Sequence, residues 1–476
     1  MVSVRERPQR QKEHQMNKLN WRKKACTIFF LCAATAIVSP AQTFSTLVSF
    51  DGTNGSSPFM SLVQGFNGNY YGTTLGGGAG GGGTVFELTS EGSLTTIYNF
   101  CAKTNCADGS WPAAPLVETV NGTFWGVTGL GGAHNYGTIF KVSATGSLVT
   151  VHSFDNTDGA YPVGLMLGRD GNFYGTTYGG GLSSAGTVFK ITPAGVFTTL
   201  HKFCSEKNCR DGSTPYVGLV QASDGNFYGT TIGGPPTGGI IFKVTAGGQF
   251  TVLDSDLDGC YPASVMVQAT DGNLYGTFSA CGAFNGGTFF TMTTAGKLTT
   301  LYNFCIGCAD GRGPAGTFVQ AADGNFYGTT EGGIGDQDCT AFEITPTGTL
   351  TTLYTFDNIS CEPDGLMQAT NGTFYGATYF LGTDGEGMIY SLSVGFGSFA
   401  QTVPTSAKVG STVVILGNSL TGTTSVSFNG TAATFAVVSD TEIKTSVPTG
   451  ASTGYVTVTT PSGVLTSNVQ FQVNSK

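Results

Sequence analysis

The chain has 476 residues, of which 40% are hydrophobic, 11% are charged and 73 are glycine. This composition is typical of an all-β protein with many turns, and the length allows two or three domains. The first 41 residues hold eight of the 21 Lys/Arg and two of the 30 Asp/Glu, which leaves 13 basic and 28 acidic side chains, a net charge near −15. Nucleic acid is not an expected partner, because phosphate binding needs clustered Lys/Arg.

The N-terminal 41 residues have the pattern of a secretory signal peptide. Basic residues precede an apolar run over residues 25–38, and Ser39-Pro40-Ala41 follows as a cleavage site. The apolar run is too short to span a bilayer, and no later segment is suited to a transmembrane anchor. We expect translation to start at Met16 and the protein to be secreted or held at the cell surface.

One phrase, of the form Asp-Gly-Asn-Phe-Tyr-Gly-Thr-Thr, occurs seven times at intervals of 47 to 54 residues. Around each copy, short runs of β-branched and aromatic residues alternate with Gly and Asn/Asp turns. Each unit therefore predicts four antiparallel strands, the size of one propeller blade. The copies begin at Asn67, Asn121, Asp170, Asp224, Asp271, Asp323 and Asn371.

The two ends of the repeats complement each other. Residues 43–50 match the fourth strand of a unit, whereas the last unit stops after its third strand near residues 387–394. We expect the N-terminal strand to complete the last blade and close a seven-bladed β-propeller over residues 42–395, which would remove exposed sheet edges. An open β-solenoid is the alternative fold.

Ten cysteines remain after the signal peptide, an even number that indicates five disulfides in an exported chain. Three pairs follow from close spacing, and two from loops expected on the same propeller face. A zinc site at the C-x₂-C or C-x₄-C spacings is the alternative, but no second Cys or His pair accompanies them. The expected pairs are Cys101 with Cys106, Cys204 with Cys209, Cys305 with Cys308, Cys260 with Cys281, and Cys339 with Cys361.

The loops that vary in length between units carry all these cysteines, so the propeller face that they form is the expected functional face. An Asp-Gly or Asn-Gly pair precedes each unit on this face. Seven such acids or amides could bind cations, but their repetition favours a structural role in which Asp caps its own turn. These residues are Asn54, Asp108, Asp158, Asp211, Asp258, Asp310 and Asp364.

Asp254, Asp256 and Asp258 form D-x-D-x-D-G, which is similar to the start of a calcium-binding loop. Val265 stands where the bidentate Glu of such a loop should come, so the match is partial. We expect no metal and no cofactor, with these three residues as the candidate calcium ligands.

Aromatic residues follow several of the Asp-Gly turns. If exposed, they can stack on sugar rings, whereas if buried they separate neighbouring blades, and we expect burial. The candidate ligand-binding residues are Trp111, Tyr161, Tyr216 and Tyr261.

No catalytic motif is found: the sequence has no Ser elbow, HExxH or P-loop lysine. His152 and His201 occupy the fourth-strand position that holds Tyr98 and Tyr302 in other units, which favours repeat variants. We name no catalytic residue and do not expect an enzyme. Paired carboxylates far apart in sequence stay possible.

Residues 403–476 show alternating short strands without the repeat. This segment resembles the IPT/TIG family at Gly410 to Gly417, Val426 to Gly430 and Thr459 to Gly463. The resemblance implies an immunoglobulin-like β-sandwich that serves as a spacer or interaction domain.

The repeats over residues 43–395 resemble the GloVer (Gloeo-Verruco) tandem repeat of choice-of-anchor proteins, most clearly at Asp170 to Gly181 and Gly186 to Gly195. The resemblance implies a secreted or surface bacterial protein with an interchangeable C-terminal module. It brings no established activity and therefore no catalytic residue.

Three functions follow as hypotheses. The first is a binding or adhesion protein that recognises a carbohydrate or a cell-surface protein on the disulfide-braced face. The second is a polysaccharide hydrolase or lyase, which would need two or three acids converging at the central channel. The third is a structural surface or matrix component. The sequence does not determine the oligomeric state.

Overall fold

The computed structural model describes residues 42–234, 238–257, 259–332, 339–356 and 361–474. The predicted signal peptide, residues 1–41, lies outside these ranges. The described chain is all-β, with three single turns of 3-10 helix at Thr104–Cys106, Leu182–Ser184 and Lys207–Cys209. Within these ranges, no helix is long and apolar enough to cross a membrane.

The repeats form seven antiparallel sheets, numbered here repeat sheets 1 to 7 in chain order. In sheets 1, 2 and 4 the first strand is split into two short strands. Sheet 1 comprises Ser56–Pro58, Val63–Gln64, Tyr70–Gly76, Thr84–Leu88 and Leu94–Asn99. Sheet 2 comprises Ser110–Pro112, Val117–Glu118, Thr123–Leu130, Thr138–Ser143 and Leu148–Ser153. Sheet 3 comprises Ala160–Leu167, Phe173–Gly179, Thr187–Ile191 and Phe197–Lys202.

The remaining four sheets follow the same order. Sheet 4 comprises Ser213–Pro215, Val220–Gln221, Phe227–Gly233, Gly239–Val244 and Phe250–Leu257. Sheet 5 comprises Val267–Gln268, Leu274–Phe278, Asn285–Met292 and Leu298–Cys305. Sheet 6 comprises Pro314–Gln320, Phe326–Thr330, Cys339–Ile344 and Leu350–Phe356. Sheet 7 comprises Pro363–Gln368, Phe374–Thr378, Met388–Ser393 and the N-terminal strand Thr43–Ser49.

The N-terminal strand and the last repeat share one sheet, because Thr43–Ser49 pairs antiparallel with Met388–Ser393. Side chains also join sheet 7 to sheet 1. The N–H of Thr370 donates a 2.9 Å hydrogen bond to Oε1 of Gln64, and the rings of Tyr70 and Tyr375 lie 4.1 Å apart. The first and last repeats are therefore in direct contact.

The recurring phrase has a structural explanation, seen clearly in sheet 3. Asp170 accepts hydrogen bonds from the N–H of Asn172 and the hydroxyl of Tyr174, while Gly171 adopts φ +80°, which favours glycine. The Tyr174 ring then stacks on Phe227 of the next sheet at 3.9 Å. Equivalent contacts between sheets are Tyr71–Phe124, Trp125–Phe173, Tyr275–Phe326 and Tyr327–Phe374.

The C-terminal module has two four-stranded sheets and a short parallel pair. One sheet comprises Gln401–Val403, Thr412–Leu416, Glu442–Ser446 and Phe435–Val437, and the other Thr431–Ala432, Ser425–Phe428, Val456–Thr460 and Gly463–Thr466. The parallel pair is Ser406–Lys408 with Gln472–Asn474. The module contacts the repeats through Phe66, which packs against Val414 and Leu416.

Five disulfides brace the loops of the repeat sheets, in the pairs expected from spacing and topology. They join Cys101 to Cys106, Cys204 to Cys209, Cys260 to Cys281, Cys305 to Cys308, and Cys339 to Cys361. Cys339 lies in sheet 6 and Cys361 precedes the first strand of sheet 7, so this bond links neighbouring sheets.

Candidate functional site

A cavity of about 650 Å³, called the central cavity below, is lined by residues from all seven repeats. One repeated position builds most of its wall. In each sheet a proline pairs with the end of the second strand, as Pro162 does with Thr177 and Pro363 with Thr378. The residue after this proline lines the cavity in every sheet: Phe59, Ala113, Val163, Tyr216, Ala263, Ala315 and Asp364.

Aromatic side chains form one part of the wall, and here the expected burial was wrong. Trp111, Tyr161 and Tyr216 line the cavity and keep 52%, 39% and 52% of their surface exposed. Trp111 and Tyr161 precede the recurring proline in a left-handed backbone conformation, with φ +60° and +56°, which is unfavourable for a bulky residue. Tyr261 is equally exposed but is not among the residues that line the cavity.

Two more tyrosines, Tyr178 and Tyr379, line the cavity and were missed from the sequence. Each directly follows the last threonine of the recurring phrase, Thr177 or Thr378. Leu75 and Glu331 line the cavity from the same position in other sheets. A comparison of the repeats position by position would have found them, because this position varies while the phrase before it does not.

Three acids form the part of the wall supplied by sheets 6 and 7: Glu331, Glu362 and Asp364. Although the Glu331 side chain is exposed at the cavity, desolvation by the surrounding wall raises its pKa to about 7, and the charges of the other two acids add to this effect. Burial also raises the pKa of Asp364 to about 6, although the N–H of Met60 donates to it and opposes the shift. No Lys, Arg or His is among the described lining residues.

Asp364 was grouped from the sequence with the acids that cap turns, and this assignment was wrong. Asp108 and Asp211 do cap their turns, since each accepts two backbone N–H bonds from residues five and six positions earlier. Asp364 instead follows the recurring proline, as the pairing of Pro363 with Thr378 shows. The Asp-Gly dipeptide at Asp364 has the same sequence as the turn-capping Asp-Gly pairs, but it occupies another position of the repeat.

The histidines are repeat variants, as expected. His152 and His201 contact Asp158 and Asp211 through Nε2 at 2.8 and 3.1 Å. In another sheet the hydroxyl of Tyr98 donates to the equivalent Asp108 at 2.8 Å. Neither His152 nor His201 is among the residues that line the cavity.

Only part of the candidate calcium site lies among the described residues. Asp254 lies in strand Phe250–Leu257, whereas the side chain of Asp256 and all of Asp258 lie outside the described residues. Among the residues that are described, Cys305, Cys308 and Asp310 are close enough to hold a metal, but the two sulfurs form a disulfide and are not thiolate ligands.

A second, more open cavity of about 840 Å³ lies between sheets 2 and 3 and the C-terminal module. Its lining includes three cations, Lys141, Arg169 and Lys408. Lys141 Nζ is 5.7 Å from the centre of the Trp125 ring, and burial lowers the pKa of Arg169. This cleft has the opposite charge to the central cavity.

Solved structures similar to this chain are distant in sequence. The extracellular domain of a putative hybrid two-component system from B. thetaiotaomicron is 12% identical with a TM-score of 0.49, covering 90% of this chain and 54% of that one. The chain thus spans about half the length of that protein. A putative 6-phosphogluconolactonase from Bacteroides fragilis is 17% identical with a TM-score of 0.43, covering 69% of this chain and 89% of that one. Likenesses of this size carry no conclusion about activity.

No curated protein matches the sequence. Two families do. The Gloeobacter/Verrucomicrobia repeat matches residues 27–231 and 205–363, and the IPT/TIG domain matches residues 400–473. The chain therefore belongs to the Gloeobacter/Verrucomicrobia repeat family and carries a C-terminal IPT/TIG domain.

Proposed function

We propose that this chain is a secreted or cell-surface binding protein that holds a carbohydrate in the central cavity. The observation that carries the proposal is the wall of exposed aromatic rings, Trp111, Tyr161 and Tyr216, with Tyr178 and Tyr379 beside them. Such rings offer flat apolar faces to a sugar ring, and acids of the same cavity offer acceptors for its hydroxyl groups. A cavity of about 650 Å³ is within the usual size of ligand sites.

The proposal includes a closed seven-bladed propeller, over residues 42–395, as the scaffold. Three observations support closure: the N-terminal strand in sheet 7, the ring contact of Tyr70 with Tyr375, and a cavity lined by all seven sheets. Closure would pair or cover the sheet edges that an open array exposes. It would also place the cavity on the axis of the ring.

The proposed location is extracellular, after removal of residues 1–41. Five disulfides support it, because such bonds persist mainly in oxidising compartments. The C-terminal module, residues 403–476, would act as a spacer or as a contact to the cell surface. The presence of a shaped cavity favours binding over a purely structural role.

A glycan array tests the proposal, followed by calorimetric titration of any glycan retained. Trp111→Ala and Tyr216→Ala should weaken binding at least about tenfold, because each removes a stacking surface worth about 1.4 kcal/mol or more. Tyr261→Ala is the matched control, since Tyr261 is 54% exposed and lies off the cavity. Absence of any retained glycan, or equal losses in all three variants, would contradict the proposal.

The convergence of Glu331, Glu362 and Asp364 favours a second candidate, a polysaccharide hydrolase or lyase. A carboxyl group with a raised pKa can donate a proton to a leaving oxygen, while an ionised neighbour acts as base or nucleophile. Glu331, with a pKa raised to about 7, fits the donor role. Release of reducing ends or unsaturated products by the wild type, lost in Glu331→Gln, would establish this activity.

A further inference from the structure

We infer that the central cavity selects a saccharide that carries free ammonium groups, such as an oligomer of glucosamine, over a neutral or acidic saccharide. This inference rests on the proposed function and specifies its ligand. It follows from the composition of the cavity, which has an acidic wall formed by Glu331, Glu362 and Asp364 and an aromatic wall formed by Trp and Tyr side chains.

Among the described residues, no cation lines the acidic wall. Asp364 is 9% exposed, its Oδ2 accepts the N–H of Met60, and no described residue donates to its Oδ1. Glu331 and Glu362 line the same cavity, and its described lining contains no Lys, Arg or His. A buried carboxylate without a cation beside it, such as Asp364, is costly. A ligand ammonium that pairs with it and with the exposed Glu331 and Glu362 would gain charge-assisted hydrogen bonds.

The aromatic wall favours the same ligand. The faces of Trp and Tyr rings attract cations as well as the apolar face of a sugar. Tyr216 is within electrostatic reach of the acids, since its pKa is raised by burial and additionally by the charges of Glu331 and Asp364. A ligand that touches the aromatic wall therefore also meets the acids.

The charge is a local departure from the repeat. The residue after the recurring proline is Phe59, Ala113, Val163, Tyr216, Ala263 or Ala315 in six sheets and Asp364 in one. Glu331 replaces Leu75 or Tyr178 at another repeated position. Folding of the unit does not require acids at these positions, because the other sheets form without them.

Thr317 also lines the cavity, and its hydroxyl is buried without a hydrogen-bond partner among the described residues. The wall therefore contains an unsatisfied polar group in addition to the acids. An acidic saccharide would bring like charges against three carboxyl groups.

Calorimetric titration of the full chain with hexamers tests the inference. The probes are hexaglucosamine, its fully N-acetylated counterpart, cellohexaose and hexagalacturonate, at pH 6.5 and low salt. Hexaglucosamine should bind at least about tenfold more tightly than the other three, a difference of about 1.4 kcal/mol. Salt should weaken its binding, because charge pairs are screened.

Variants identify the groups responsible. Glu331→Gln and Asp364→Asn should each remove most of the preference for hexaglucosamine over the N-acetylated hexamer, measured as the ratio of the two dissociation constants. Glu91→Gln, at an exposed turn away from the cavity, is the matched control. Thermal unfolding of each variant shows whether it is folded, and Glu362→Gln replaces any variant that is not.

The outcomes separate the inference from the proposed function. Equal binding of glucosamine and neutral hexamers would overturn the inference and keep carbohydrate binding. Retention of no saccharide at all would overturn both. Equal affinity for spermidine, an amine without a sugar ring, would show a site for cations in general and also overturn the inference.

Discussion

The backbone N–H of Met60 donates a 2.8 Å hydrogen bond to Oδ2 of Asp364, which lies 304 positions later in the chain. Met60 belongs to the first repeat and Asp364 to the last. Both residues line the central cavity. One carboxyl group thus joins the two ends of the repeat array and contributes charge to the candidate site.

The first prediction concerns pH and the stability of the fold. The pKa of Asp364 is raised from 3.8 to about 6 by burial, so its ionisation favours the unfolded chain. Relative to Asp364→Asn, the wild type should lose about 3 kcal/mol of unfolding free energy as pH rises from about 4 to about 6. Above this pH, the difference in unfolding free energy between the two proteins should stay constant. Urea unfolding at pH 4 to 8 measures this difference.

Glu91→Gln is the control for this experiment, because Glu91 is fully exposed. The difference in unfolding free energy between Glu91→Gln and the wild type should change little over the same pH range. A difference between wild type and Asp364→Asn that does not depend on pH would contradict the assigned burial of this carboxyl group.

The second prediction concerns Tyr390. This residue faces Gly376 at a position that holds Phe86 in sheet 1 and Phe342 in sheet 6. Its hydroxyl is buried and no described residue is hydrogen-bonded to it. Tyr390→Phe should therefore raise the unfolding free energy by about 1 kcal/mol.

Phe342→Tyr supplies the reverse control, since it adds a buried hydroxyl at the same position of the neighbouring sheet. It should lower the unfolding free energy by about 1 to 3 kcal/mol. Destabilisation by Tyr390→Phe would show that the hydroxyl contributes to the fold. Denaturant unfolding at pH 7 distinguishes these results.

The third prediction concerns the bond between Cys339 and Cys361, which links sheets 6 and 7. Replacing both cysteines with Ser should lower the unfolding free energy by about 3 kcal/mol, because the bond closes a loop with a sequence separation of 22. Replacing Cys305 and Cys308, separated by 3, should cost only about 1.5 kcal/mol. Unfolding without reductant measures both, and equal losses would contradict the loop argument.

The fourth prediction concerns Glu118, near the contact between the repeats and the C-terminal module. Burial raises its pKa from 4.5 to about 8, and the charge of Glu442 adds to the effect. Its Oε2 has no hydrogen-bond partner among the described residues. Glu118→Gln should stabilise the protein on the order of 3 kcal/mol at pH 7, with a gain that grows from pH 5 to 8.

Unfolding monitored at several pH values tests this gain. Glu442→Gln should give a smaller gain, since it removes the repulsion between the two carboxyl groups but also the 3.4 Å ion pair of Glu442 with Lys444. A loss of stability in Glu118→Gln at pH 8 would contradict the direction of the shift.

The fold was largely predictable because its determinants are local and repeated. An Asp-Gly turn with a tyrosine four positions later, as in Asp170 and Tyr174, carries its own hydrogen bonds. Ten cysteines in closely spaced or same-face loops also pointed to the observed bonds. The candidate site was less predictable. Trp111, Tyr161 and Tyr216 were found, but with the wrong expected exposure, whereas Asp364 was assigned to turn capping, and Glu331 and Glu362 were missed.

The sequence by itself determined the strands, their grouping into repeated sheets and the disulfide pairs, since most of these depend on neighbours within about one repeat. Sheet 7 is the exception, because it takes the strand Thr43–Ser49 from the other end of the array. Only the tertiary structure decided which side chains share the cavity. Trp111, Glu331 and Asp364 come from different repeats, and they line one cavity only because of how the sheets pack against one another. The pKa of Asp364 is likewise a tertiary property, because burial by distant residues, and not the adjacent glycine, raises it.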